Sequence, residues 1–519
     1  MATATRVAPR SGRAIFFVLI SVTSFFLYAL GVLALREDRA AGWNIEAQGP
    51  IPVAISHLIY GLPLGAVDHG MLNRFYNPEN ASIQDLVAAA AAGAIPRGDV
   101  LMYTLDGNGV GGNLFATIAM WMFGPDISSL ILFYLVYIGI SALAFICRFR
   151  DERLVVVPLY FLVVTFLLLT PLSASHRGVD QVAIGGIRYF ALAPFLPGMH
   201  IFLELIERAD PATRKSMAWH MLLLLVQGLL LFGAFLVRSS TGYLLAALIG
   251  VLIWRLYRDH RERSELISLG YKSAVVATAF GFWCLILVTA LPAYVQTGRV
   301  LGNFWHRAFI SFVRHPEWPF GDLAKVYDCE ASSRKLSHDL PPDANGGCVW
   351  AAYINSTGRS ESDREMNLYS GEYEKVLRNA YFYVLTHYPR QAFELYFFIK
   401  SAELKNTLVQ AWLFLPGIFR APVANGLFVI IALQLVIWFS FVVCSAAMLP
   451  TTVDLRLIIF PLFFLLSLVP RYVAWSSWMT GSDMIFLMYS CSLVAVAFAS
   501  QWLLRSLKLA GFASRWSGK

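Results

Sequence analysis

The sequence predicts an all-α, polytopic transmembrane helical bundle with two large extracytoplasmic loops. Three observations carry that reading. Of 519 residues, 57% are hydrophobic and only 14% charged, whereas a soluble domain carries about 25% charged residues. Apolar runs recur that approach or exceed the roughly 20 helical residues needed to cross a hydrocarbon core. Lys and Arg gather in alternate loops between those runs. This composition excludes an ordinary soluble enzyme, a disordered tail and a secreted disulfide scaffold.

In order, the runs cover residues 14–35, 127–147, 154–172, 182–206, 219–237, 242–256, 274–295, 426–448, 457–469 and 484–504. Each must be helical, because a backbone in lipid has to satisfy its own hydrogen bonds; the count is about ten spans. Residues 50–67 are also apolar, but Pro50, Pro52, Gly61, Pro63 and Gly65 predict an interfacial or re-entrant segment there instead of a straight span.

Positive charge sets the orientation. Arg6, Arg10 and Arg13 precede the first run and place the N-terminus inside. Arg148, Arg150 and Arg153 fill the next inner loop, followed by Arg208, Arg214 and Lys215. Arg255, Arg258, Arg261, Arg263 and Lys272 fill a third, Arg456 a fourth, and Arg505, Lys508, Arg515 and Lys519 the tail, giving N-in and C-in. The net charge of +8 thus serves topology, and nucleic acid is excluded as a partner. The first run reads as an uncleaved signal anchor, being longer than a signal-peptide core and without a small-x-small site after it.

The organisation that follows has five parts. Residues 1–35 are the cytoplasmic N-terminus and anchor, 36–125 the first periplasmic loop with juxtamembrane helices, and 126–295 the transmembrane core. Residues 296–425 are a large periplasmic loop region, and 426–519 the C-terminal spans and cytoplasmic tail. Within the first loop, residues 83–92 suit a short amphipathic helix capped by Asn80 or Ser82 and ended by Gly93. In the second, Cys329 and Cys348 stand in a polar, Pro/Gly/Ser-rich stretch, and an oxidising compartment favours a disulfide between them. Asn80 and Asn355 match the N-glycosylation pattern, but the Ala-rich chain reads as bacterial, so these are chance matches.

No metal-ligand spacing, phosphate loop or nucleophile elbow appears, so no cofactor is expected, a divalent metal being left open. "DGNGVGG" (106–112) reads as a turn. The chemistry then rests on charged residues at the outer face, where ionisable groups near lipid are expensive. Asp68, Glu79, Asp85, Asp99 and Asp106 crowd the first loop as candidate general bases, each also able to serve as a helix cap or a solvated carboxylate. Arg188 lies within a predicted span, His176 and Arg177 stand before it, and Arg238 sits on a very short outer turn. His306, Arg307, Arg314 and His315 follow the seventh span, with Lys400 and Lys405 further on. The planar fork of Arg suits phosphate, although the same residues also pair with carboxylates or lipid headgroups.

The layout resembles the GT-C superfamily of membrane glycosyltransferases, which use polyprenyl-phosphate-linked sugars at the outer face. The stretch "PENASIQDLVAAAAAGAIPRGD" followed by "DGNGVGGNLFATIAMWMFGP" is similar to the family's acidic site, helix and following span, with Glu79 at the acidic position. "FLVRSSTGYLLAAL" resembles its Arg-containing turn, at Arg238. "NAYFYVLTHYPRQAFELYFFIKSAEL" is similar to its late outer helix, with His387, Pro389 and Lys400 as the matches. The acidic pair of many members is here Glu79-Asn80, and "VDHG" (Asp68, His69) intervenes after the anchor, so either Glu79 or Asp68 is the base.

The resemblance implies transfer of a sugar from a polyprenyl-phosphate donor to a glycan or lipid acceptor at the periplasmic face of a bacterial inner membrane. A carboxylate would take the acceptor's proton. Arg188, Arg238, Lys400, Arg177 and His387 would hold the departing phosphate. Two other readings keep the membrane. An O-antigen-type polymerase or ligase would use Arg307, Arg314, His315 and His338 of the late loop, and a non-enzymatic transporter would carry charge at mid-membrane.

Overall fold

The computed structural model describes residues 50–76, 83–102, 111–125, 128–149, 193–206, 214–237, 242–290, 304–315, 342–358 and 371–402. The predicted spans at 14–35, 154–172, 426–448, 457–469 and 484–504 lie outside them. The described residues are mostly helical, with one short strand pair.

Helix α1 (Pro50–Tyr60) has prolines in its first turn, where their missing N–H groups cost nothing. It ends at Gly61, whose φ of 67° is left-handed. Its eleven described residues span about 16 Å. Strand β1 (Ala66–Asp68) then pairs antiparallel with β2 (Val100–Met102), in the register Ala66 to Met102 and Asp68 to Val100. Between them run α2 (His69–Tyr76) and α3 (Ile83–Ala91).

Helix α3 closes as its sequence predicts. Gly93 has φ 69° and donates its N–H to Ala90, while the Ala94 N–H reaches Ala89 at 2.8 Å. Those two bonds form a Schellman motif.

The apolar bundle contains α4 (Gly111–Phe123), α5 (Ser128–Phe149), α6 (Phe195–Ile206), α7 (Arg214–Val237), α8 (Gly242–Asp259) and α9 (Arg263–Ala290). Three of these, within Leu132–Phe149, Met217–Val237 and Arg263–Thr289, are long and apolar enough to cross a membrane. The protein is therefore membrane-embedded. Helix α7 is central, packing against α4, α5, α6 and α9. Helix α9 leaves Phe280, Phe282, Leu285 and Val288 exposed, as a surface against lipid does.

The late loop forms a helical body of its own. It comprises α10 (Phe304–Ile310), a 3₁₀ turn (Ser311–Arg314), α11 (Pro342–Ser356), α12 (Gly371–His387) and α13 (Pro389–Glu394), which runs on as a π-helical stretch (Leu395–Ile399). Its core is aromatic. Trp350, Tyr373, Phe309, Phe312 and Tyr381 pack with Leu377, Val384 and Leu395. Cys348 on α11 is disulfide-bonded and buried; its expected partner, Cys329, lies outside the described residues.

Candidate functional site

Asp68 is the one candidate base of the site pair that the described residues include, and its surroundings give it a structural task. Its side chain is buried. Oδ1 accepts the Met71 N–H at 3.0 Å and the Gly98 N–H at 3.3 Å, and Oδ2 accepts the Gly98 N–H at 3.1 Å. The first bond is an N-cap on α2, and the others tie the loop before β2 to the same carboxylate. The Asp68 N–H in turn donates to Ser56 Oγ on α1. The loop comes so close that a Cβ on Gly70 would sit 2.0 Å from the Pro96 carbonyl oxygen. Of the neighbouring acids, Asp85 and Asp99 are exposed. Arg97 stacks over the Tyr60 ring at 4.7 Å. Glu79, Asp106, Arg177, Arg188 and Arg238 lie outside the described residues.

Leu64 packs against the cluster formed by Leu236 of α7 and Leu287 of α9. Gly111, at the start of α4, lies so close to the end of α7 that a Cβ there would come within 2.5 Å of the Val237 nitrogen. Val237 immediately precedes Arg238. Two separate points of the first long loop therefore meet the helix end that precedes Arg238 in sequence.

In the late body, Lys400 is fully buried and stands over the Tyr396 ring at 4.5 Å. The Tyr396 and Tyr381 hydroxyls share a 2.9 Å hydrogen bond. His315 is buried and bonds Glu394 at 3.0 Å, while Arg390 donates to the other oxygen of the same carboxylate at 2.9 Å. Those bonds hold the Glu394 carboxyl below the ordinary range, Arg390 first. His387 is exposed, its ring stacked on Tyr383 at 3.9 Å.

Glu374 is the most perturbed group of this body. Its carboxylate accepts the Trp305 and His306 N–H groups at 2.7 and 3.1 Å, capping α10. Burial nevertheless pushes its carboxyl up to about 7, because desolvation outweighs the two backbone bonds. Beside it, His306 and the Tyr373 hydroxyl share a 2.7 Å hydrogen bond.

A second set of charged residues was not anticipated from the sequence. At the end of the bundle that the positive-charge pattern assigns to the cytoplasm, Glu204 of α6 pairs with Arg148 of α5 and with Lys272 of α9 at 3.2 Å. Lys272 also donates to the Glu204 carbonyl. Next to this, Arg255 bridges Asp259 at 2.8 Å and Glu265 at 2.9 Å and donates to the Ile206 carbonyl. Deeper in, Gln227 bonds Ser141 in both directions at 2.8 Å and approaches His200 Nδ1 at 3.2 Å. Arg148, Arg255 and Lys272, which read as topology anchors, are thus also ion-pair partners, the last two of them buried. A glutamate inside the run "GMHIFLELIE" was the available signal, since an acid in an apolar helix demands a counter-charge.

Among the described residues no group of three His, Cys, Asp or Glu is placed to hold a metal ion. Comparison of the chain with protein-family models, with curated proteins and with solved structures returns no match.

Proposed function

We propose that this chain is an integral membrane glycosyltransferase, moving a sugar from a polyprenyl-phosphate donor to a glycan or lipid acceptor at the outer face. The observation that carries the reading is the contact of Leu64 and Gly111 with the last turn of α7. It brings two points of the acidic first loop to the helix end that precedes Arg238 in sequence, and transfer from a lipid phosphate calls for an acid and a phosphate-binding cation near one another. Asp68 is committed to backbone amides, which leaves Glu79 as the base.

The test is purified protein in lipid vesicles, supplied with a panel of polyprenyl-phosphate sugars and assayed for released lipid phosphate. Release is expected with at least one donor, and Glu79→Gln abolishes it while the protein stays folded. No release from any donor overturns the transferase reading. Full turnover by Glu79→Gln overturns the assignment of the base.

One observation favours a second reading. The buried line Ser141, Gln227, His200 and Glu204 runs into the apolar bundle from its inner end, as a transporter's polar path would. Transbilayer movement of an unaltered lipid-linked sugar in the same vesicles would establish it.

A further inference from the structure

The helix leading to Lys400 carries an unusual surface. Phe393, Phe397 and Phe398 are 53, 64 and 63% exposed, although the body around them has a well-packed aromatic core. The three rings form one cluster, with Phe393 and Phe397 stacked at 4.5 Å and Phe393 and Phe398 edge-to-face at 5.9 Å. A regular α-helix would set residues five apart on different faces. The π-helical stretch Leu395–Ile399 closes i to i+5 bonds and so brings Phe398 round to join Phe397 beside Phe393. On the other side, Ala392 and Leu395 are buried in the core and Glu394 is tied to His315 and Arg390. The helix is thus amphipathic, with three phenylalanines on its outer face beyond the exposed Arg390.

We propose that this face rests in the outer leaflet of the bilayer, with the three phenylalanines below the headgroups. The occupant follows from where the body is tethered. Thirteen residues separate Ala290, at the end of membrane-crossing α9, from Phe304, a leash of at most about 45 Å. Beyond Ala402 the chain returns to long apolar runs, beginning at residue 426. A body held to the membrane at both ends presents its exposed aromatic face to lipid before any other partner, and exposed Arg390 at the start of the helix suits the phosphate level above it. The inference concerns membrane seating alone and stands whether or not a sugar is transferred.

The full chain tests it, reconstituted in phosphatidylethanolamine and phosphatidylglycerol vesicles, with p-benzoylphenylalanine replacing Phe393, Phe397 or Phe398 in turn and exposed Arg378 as the control. Irradiation is expected to give lipid adducts at the three phenylalanine positions and none at Arg378. Cross-links to a second copy, or no adduct at any of the three, overturn the proposal. Hydroxyl-radical labelling of the unsubstituted protein is the independent check. Oxidation of all three phenylalanines is expected to be lost in vesicles while exposed His387 keeps its own; oxidation of both sets overturns it.

Discussion

Single side chains in this protein separate into those that fasten backbone and those left for chemistry, and Asp68 belongs to the first kind. Asp68→Ala uncaps α2 and strips the Gly98 amide of its acceptor, at a cost of about 1–2 kcal/mol. Asp68→Asn keeps an acceptor oxygen and should leave both stability and turnover near wild type. Thermal unfolding in detergent, read beside the vesicle assay, checks the pair. The sequence placed Asp68 among the candidates because a carboxylate's partners are invisible in a linear chain. The amide it caps is three residues away, but the one that commits its second oxygen is thirty residues away. Glu374 makes a prediction in pH. Its carboxyl lies at about 7 against an ordinary 4.5, so ionisation works against the fold. The stability it contributes is full below pH 4.5 and is lost as pH rises through about 7. Hydrogen exchange of the α10 amides should therefore quicken over that window, and Glu374→Gln should flatten the slope.

Helices whose ends are written in local chemistry were legible. The expected helix at 83–92 is observed at Ile83–Ala91 with its glycine stop in place, and the spans expected at 127–147 and 219–237 contain α5 and α7 within a few residues. Helix α9 was misjudged by a wider margin. It begins at Arg263, eleven residues before the apolar run at 274, because Glu265 and Lys272 are neutralised by partners that hydropathy does not see. The three-residue strands were missed as well, being too short for alternation to show. Gly111 gives the test at this scale. A methyl group there would come within 2.4 Å of the Leu236 carbonyl carbon, and moving backbone to admit it costs about 1–3 kcal/mol. Gly111→Ala should lower the unfolding temperature and, if the rim is the active region, reduce turnover together with it.

Across the whole molecule, the membrane class and helical content could be read from composition, while the charged rim around Glu204 and Arg255 could not, since it joins residues on four separate helices. Replacing Glu204 with Leu leaves Arg148 and Lys272 without that carboxylate and should cost about 3–5 kcal/mol, whereas replacing all three with apolar residues of similar size should recover most of it. Thermal stability in detergent distinguishes these outcomes. The rim also bears on biogenesis. Glu204 meets Arg148, made 56 residues earlier, but Lys272 only after a further 68 residues have been made, so chains still on the ribosome carry an ion-pair network that lacks one of its two cations. A chain stopped before residue 263 should therefore be cleared by quality-control proteases faster than one stopped after 290.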